Sequence, residues 1–188
     1  DGRLADSKQD AAGAMKHWQG GLKLVANLKP LAKAKWAPVP DGTFKMLGQF
    51  RHPEITKAEL WIVQWLVGDL KQYGVVLVPA NRNPTQKFPI LLYTHGAAYG
   101  VPIYALPWLA NMAGEGYVIV GPAFRGEDLF ASQYVPRELA YRCEGEIENL
   151  DGEVDDALAA VSAARKLPYA KGGKFAVIGH SFGSGIGM

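Results

Sequence analysis

A serine set between two glycines is the feature of this sequence best suited to covalent chemistry. Ser181 lies at the centre of 179-GHSFG-183, which fits the pattern G-x-S-x-G. In that pattern a buried strand turns sharply into a helix, and the flanking glycines give the backbone room to lift the serine Oγ clear of the sheet. The apolar run 175-FAVIG-179 supplies the strand. We predict that Ser181 is a nucleophile rather than a small turn residue, and that the Phe182 N–H, at a helix N-terminus, is one oxyanion donor.

A second stretch, 93-YTHGAAYG-100, follows directly on another apolar run. Enzymes with a nucleophile elbow take their second oxyanion donor from the loop after the third strand, which often opens with His-Gly. Ala97 or Ala98 would present that N–H, and Gly96 would allow the close approach. The alternative is that His95 is only a buried histidine at the end of a strand, and the sequence leaves both interpretations open.

The chain offers Ser181 no obvious general base. A serine nucleophile needs a base within hydrogen-bond reach and an acid to orient that base. The residues after Ser181, 182-FGSGIGM-188, carry no titratable side chain. Neighbouring side chains on a sharp turn diverge, so we predict that His180 contacts the substrate together with Tyr99 rather than acting as the base. All the histidines precede Ser181, at His17, His52, His95 and His180.

The same glycines fit a rival pattern. Gly179, Gly183 and Gly185 match the G-x-x-x-G-x-G turn of short-chain dehydrogenases, in which backbone N–H groups approach a dinucleotide pyrophosphate. That turn normally follows the first strand of its domain, whereas here it follows the last predicted one. We therefore expect no cofactor, and the acidic residues around 151–156 fit no metal-ligand spacing.

Short apolar runs from residue 60 onward predict the elements that position these groups. Three of them, 89-PILLYTH-95, 117-YVIV-120 and 175-FAVIG-179, are continuously apolar, which is typical of strands covered on both faces of a parallel sheet. The runs 60–67 and 74–78 are closer to antiparallel edge strands joined by a turn at 68–73. Helices are predicted within 103–113 and over 152–169, where the apolar face is Val154, Ala157, Leu158, Val161 and Ala164. This order predicts an α/β sheet with right-handed crossovers.

These motifs resemble the α/β-hydrolase superfamily, in particular its serine esterases and its dienelactone-hydrolase-like and prolyl-oligopeptidase-like branches. The resemblance covers residues 58–188, preceded by an N-terminal extension over 1–57, and implies a mostly parallel sheet with helices on both faces. It implies that Ser181 is the nucleophile, that Phe182 and the Ala97 region form the oxyanion hole, and that Arg125-Gly126 marks the turn after the fourth strand. It rests on 89-PILLYTHGAAYG-100, 117-YVIVGPAFRGE-127, 152-GEVDDALAAVSAARKLPY-169 and 175-FAVIGHSFGSG-185.

The chain departs from those families in three ways. Dienelactone hydrolases use a cysteine where this chain has Ser181, and prolyl oligopeptidases carry a large β-propeller before this domain. In the hydrolase fold the triad order is Ser, acid, His, yet no acid or histidine follows Ser181. A sheet that stops at 175–179 would also have a bare edge. We therefore expect an N-terminal part of a hydrolase, with the acid and histidine supplied by a missing C-terminal part or a second polypeptide.

The sequence thus predicts a serine hydrolase acting on carboxylic esters, with a serine peptidase or a non-catalytic binding protein of the same fold as alternatives. A net charge of +2 gives no general attraction to nucleic acid, and the longest apolar runs are strand-sized rather than membrane-spanning. The single cysteine and the polar start without an initiator methionine leave the compartment open. A secreted or periplasmic protein after processing would begin in this way, as would a shortened chain. The segment 127–150 is either a lid near the site or a surface excursion.

Overall fold

The computed structural model describes residues 42–97, 99–132 and 135–188. The short helical pieces expected within 8–36 and the candidate donor Ala98 lie outside the described residues. Two 3₁₀ turns lie at Ile103–Ala105 and Arg137–Leu139. The strands and helices in chain order are β1 (Lys45–Phe50), β2 (Ala58–Val67), β3 (Leu70–Pro79), β4 (Phe88–Thr94), α1 (Leu106–Gly114), β5 (Val118–Pro122), α2 (Gly152–Arg165), β6 (Ala170–Gly179) and α3 (Phe182–Ile186).

The strands form one mixed sheet in the order β1-β2-β3-β5-β4-β6. Of its five pairings, β1–β2, β2–β3 and β3–β5 are antiparallel, whereas β4–β5 and β4–β6 are parallel. The expectation of a mostly parallel sheet is therefore wrong. Only the crossovers that carry α1 and α2 are long enough to return the chain in the same direction, because parallel neighbours need a connection of a dozen residues or more.

The antiparallel half of the sheet is built around a tight hairpin. β2 and β3 pair from Ala58 opposite Pro79 to Val67 opposite Leu70, so the turn is shorter than the expected segment 68–73. The prediction that β2 and β3 are edge strands is wrong, because β1 pairs with the outer side of β2 and β5 pairs with β3. β1 comes from the segment that we assigned to an N-terminal extension. The boundary at residues 57 and 58 stays a prediction.

Two apolar layers cover the two faces of the sheet. In β4, Leu91 and Tyr93 belong to the cluster that contains α1, whereas Ile90 and Leu92 belong to the cluster that contains α2. This alternation follows from the period of two along a strand and places the two helices on opposite faces, as predicted. The segment after β5 contributes Leu129, Phe130 and Cys143 to the α1 layer.

The buried face of α2 includes the predicted Ala157, Val161 and Ala164 but is otherwise different from the predicted one. Val154 and Leu158 are only half-buried, whereas Asp156, Ala160 and Ala163 are buried. Small side chains allow a helix to lie close to the sheet over a wide arc, and Asp156 is buried because Arg125 is its partner.

β6 lies at the end of the sheet, and among the described strands its partner is β4. β4 and β5 are almost wholly buried, as their continuous apolar runs predicted. β6 is not, because Ala176 and Val177 are exposed and Phe175 is half-buried. The expectation that this strand is covered on both faces is wrong for the described residues, while the expected open edge is present.

Candidate active site

Ser181 occupies a strained turn between a strand and a helix. It follows β6, caps α3, and has φ 53° and ψ −120°, a backbone conformation in which non-glycine residues are rare. A Cβ added at Gly179 would lie 2.6 Å from Ser184 Cα, and one at Gly183 would lie closer still to the carbonyl oxygens of Thr94 and His95. Both glycines of the pattern are therefore required by close backbone approach. The turn leaves Ser181 exposed.

Backbone and side-chain hydrogen bonds attach this turn to the end of β4. The His180 N–H donates to the Thr94 carbonyl at 2.9 Å. The Thr94 hydroxyl, which is fully buried, donates to the Gly183 carbonyl at 2.7 Å. These contacts place the serine turn directly beside the loop that follows Thr94.

The loop from His95 to Gly100 approaches Ser181 as predicted from its sequence. A Cβ at Gly96 would lie 3.3 Å from Ser181 Cβ and 2.9 Å from His180 Nδ1. A cleft of about 290 Å³ is lined by residues from both segments: Gly96, Ala97, Tyr99, Gly100, Pro102, Tyr104, Ala131, His180 and Ser181. The structure thus brings together Ser181, Ala97, Tyr99 and His180.

The two predicted oxyanion donors also lie near each other. Ala97 and Phe182 both line a smaller cavity of about 70 Å³. Phe182 is the first residue of α3, and the first N–H groups of a helix have no carbonyl partner within the helix. Its N–H can therefore serve a bound oxygen.

An aromatic pocket of about 340 Å³ adjoins the cleft and shares Tyr104 and His180 with it. Tyr93 and Trp108 line this pocket with their rings edge to face at 5.9 Å. Tyr93 is almost fully buried, and this burial raises the pKa of its hydroxyl. The pocket gives the cleft an apolar side on which an acyl or leaving group could pack.

No complete triad is present among the described residues. The described lining of the Ser181 cleft contains one histidine, His180, and no carboxylate. His95 is fully buried, and its ring faces the Glu127 carboxylate at 3.2 Å. The geometry therefore supplies a candidate nucleophile and candidate oxyanion donors, without a base for Ser181 in the described cleft.

Glu127 is the residue near the site that the sequence analysis did not single out. Its carboxylate is buried and accepts hydrogen bonds from the backbone N–H groups of Gly100 and Phe124 at 3.2 and 3.3 Å. It also lines the small cavity beside Ala97 and Phe182. The only sequence signal for Glu127 is its position directly after Arg125-Gly126, and this position does not reveal the groups that the carboxylate contacts.

No protein-family model and no curated protein sequence matches the chain. Solved structures do match it. A candidate acetyl xylan esterase from Bacteroides fragilis aligns over 93% of this chain with 13% identity and a TM-score of 0.52. A bacterial brefeldin A esterase, described as a homologue of human hormone-sensitive lipase, aligns over 93% with 20% identity and a TM-score of 0.42. A candidate dipeptidyl aminopeptidase IV from Bacteroides ovatus aligns over 77% with 22% identity and a TM-score of 0.41.

The chain spans 49%, 40% and 18% of the lengths of these three structures, less than half in each case. At such low identity a structural likeness reports the fold alone, and the esterase from Bacteroides fragilis carries that comparison. The chain therefore matches part of the α/β-hydrolase fold, as its sequence motifs implied.

None of the helices among the described residues is long and apolar enough to cross a membrane.

Proposed function

We propose that this chain is the nucleophile-bearing part of a serine hydrolase that cleaves carboxylic esters through an acyl-enzyme at Ser181. The observation that carries the proposal is the strained, exposed Ser181 beside the His95–Gly100 loop. Non-glycine residues are held at positive φ only where the surroundings enforce it, and such residues cluster at active sites. A serine that served only to make a tight turn would not need to line a cleft.

In the proposed reaction the Ser181 oxygen attacks the ester carbonyl carbon and gives up its proton to a general base. The backbone N–H groups of Phe182 and Ala97 hold the oxyanion of the tetrahedral intermediate, and such donors are typically worth about 10²- to 10³-fold in rate each. The intermediate collapses by expelling the alcohol, which takes the proton from the protonated base. Water then hydrolyses the acyl-serine by the same two steps. Tyr99 and His180 line the cleft and would contact the substrate.

The base and its acid are proposed to come from polypeptide outside the described residues, either a C-terminal part or a second chain. Two observations support this. The described lining of the Ser181 cleft offers no acid and no histidine other than His180. Among the described strands β6 pairs only with β4, so the backbone groups on its other side could pair with a further strand. An intact-mass measurement on the active protein that finds 20.4 kDa and no partner polypeptide would contradict this arrangement.

The missing base also favours a second candidate function, a non-catalytic binding protein that has kept the fold. Burst kinetics with p-nitrophenyl acetate separate the two functions, since an acyl-enzyme releases one equivalent of p-nitrophenol before steady turnover. Ser184 is an exposed serine on the next turn and gives a matched control. We expect Ser181→Ala to abolish the burst and Ser184→Ala to keep it. A protein that hydrolyses the ester equally well in both variants does not use Ser181.

A further inference from the structure

A buried chain of contacts runs from Glu127 through His95 to the peptide that carries the Ala97 N–H. His95 is completely buried, and its Nδ1 lies 2.7 Å from the carbonyl oxygen of Gly96. A carbonyl oxygen only accepts hydrogen bonds, so His95 Nδ1 must carry the proton and donate it. This contact fixes the orientation of the Gly96 carbonyl.

The Gly96 carbonyl and the Ala97 N–H belong to the same peptide group. No cis peptide bond occurs in the described residues, and in a trans peptide the carbonyl and the N–H point in opposite directions. Because the carbonyl is held toward the buried ring of His95, the N–H of Ala97 is turned to the other side. Ala97 is exposed and lines the Ser181 cleft.

Glu127 holds the other side of the His95 ring. Its Oε2 lies 3.2 Å from His95 Nε2, with both side chains almost completely buried. Nε2 makes no hydrogen bond among the described contacts. Because an unprotonated ring nitrogen and a carboxylate are both acceptors, the contact is attractive only when Nε2, like Nδ1, carries a proton.

The same carboxylate oxygen also closes the far end of the loop. It accepts the N–H of Gly100 at 3.2 Å, so Glu127 restrains the segment 95–100 at its first and last residues. It is itself anchored by the N–H of Phe124. One buried side chain thus contacts both ends of the loop that carries the proposed oxyanion donor.

We propose that Glu127 is a positioning residue that, through His95 and the Gly96 carbonyl, holds the Ala97 N–H toward the oxyanion at Ser181. This inference rests on the proposed function, because the N–H has a catalytic role only if Ser181 is acylated. Glu127 itself does not touch the reacting atoms. Its contribution is to remove the need for the loop to reorganise when charge develops on the substrate oxygen.

The test uses the active protein, with whichever polypeptide supplies the base present, and the variant Glu127→Gln. Glutamine retains an acceptor for Gly100 and Phe124 but removes the charge opposite His95. The control is Asp128→Asn, which removes the neighbouring exposed carboxylate and its ion pair with Arg142. Three quantities are measured: kcat and KM for p-nitrophenyl acetate, the inhibition constant of an alkyl trifluoromethyl ketone that forms a tetrahedral oxyanion, and hydrogen exchange over residues 95–100.

For Glu127→Gln we expect kcat to fall by about 10²-fold, the magnitude of one lost oxyanion donor, while KM changes by less than about twofold. Inhibition by the ketone should weaken by the same factor as kcat, and hydrogen exchange over 95–100 should accelerate. Asp128→Asn should change none of these. A merely structural role would lower the melting temperature without a matching loss in kcat and in ketone affinity.

Two results overturn the inference and can be told apart. If Glu127→Gln keeps its kcat and its ketone affinity while Ser181→Ala is inactive, the proposed function stands and the positioning role of Glu127 falls. If the wild-type protein neither hydrolyses the ester nor binds the ketone, the proposed function falls and the catalytic role of Glu127 falls with it. In that second case, unchanged hydrogen exchange in Glu127→Gln would also show that this carboxylate does not order the loop.

Discussion

Gly96→Ala tests whether the loop after β4 and the serine turn form one site. The new Cβ would lie 2.9 Å from His180 Nδ1, 3.4 Å from His180 Cε1 and 3.3 Å from Ser181 Cβ. Non-bonded carbon atoms prefer separations of about 3.5 to 4.0 Å, so the contact with Ser181 Cβ is too close by a few tenths of an ångström and the one with His180 Cε1 is only marginal, whereas the contact with His180 Nδ1 is a clash that must be relieved. The substitution therefore pushes the loop and the serine turn apart.

The two neighbours differ in how easily they move. His180 is exposed, so its ring can rotate away from the new methyl group at little cost. Ser181 Cβ belongs to a turn whose glycines are in close contact with the backbone of β4 and α3, and it cannot move independently. The loop itself must therefore yield, and with it the adjoining Ala97 N–H.

A shift of about 0.5 Å is as large as the tolerance of a catalytic arrangement. Since misplacement by about 1 Å can cost about 10²-fold, we expect kcat for p-nitrophenyl acetate to fall by about tenfold in Gly96→Ala. Overpacking of this kind also costs about 1 to 3 kcal/mol of stability, measured by urea unfolding. KM should change little, because Gly96 does not line the aromatic pocket of Tyr93 and Trp108, which is where we expect an acyl or leaving group to pack.

The matched control is Gly48→Ala in β1, where an added Cβ meets nothing within 4 Å. This variant should have the kcat of the wild-type protein, and its unfolding free energy should change by at most about 1 kcal/mol. If Gly96→Ala is as active as Gly48→Ala, the loop does not present a donor to Ser181, and the placement of the oxyanion hole at Ala97 is refuted.

Two further predictions concern buried groups behind the site. Asp156 is fully buried and accepts three hydrogen bonds from Arg125, so Asp156→Asn should lower the unfolding free energy by about 3 to 5 kcal/mol. The control Asp128→Asn removes an exposed carboxylate and should lower it by at most about 1 kcal/mol. Equal urea midpoints for the two variants would contradict this prediction. Burial raises the pKa of the Cys143 thiol, so native protein should react with a disulfide reagent far more slowly than urea-unfolded protein, and equal rates would contradict the buried placement. Because the pKa of Cys143 is higher in the folded than in the unfolded protein, the thiol contributes fully to the free energy of unfolding below its ordinary pKa of about 8.5. Above that pH its contribution declines by at most about 1.4 kcal/mol per pH unit. Cys143→Ala should therefore make the free energy of unfolding fall less steeply at alkaline pH.

The serine turn could be predicted from sequence because its requirements are local. The glycines at 179 and 183 are needed where they stand, since a side chain at either would collide with the neighbouring backbone. The hairpin of β2 and β3 and the crossover helix α2 were likewise predictable from apolar patterns over short windows. The position of the His95 loop beside Ser181 was predicted from the His-Gly pair directly after an apolar run, considered together with the serine turn later in the chain.

Other features depend on contacts that a local pattern does not encode. The strand β1, KMLGQF, has no buried residue and little apolar alternation, so its pairing with β2 gives no clear sequence signal. The burial of Asp156 becomes possible only when Arg125, which lies 31 residues earlier, reaches it. Glu127 and His95 are also distant in sequence, and their contact exists only because the loops after β4 and β5 meet.

The most direct test of the account is to locate the adduct of a fluorophosphonate probe by peptide mass spectrometry in the active protein. The account predicts one modified residue, Ser181, within the peptide that contains 175-FAVIGHSFGSG-185. Denaturation before labelling should abolish the modification, because the serine then loses its base and its oxyanion donors. A probe that reacts at another residue, or an active protein in which Ser181 stays unmodified, would contradict the central claim that Ser181 is the nucleophile.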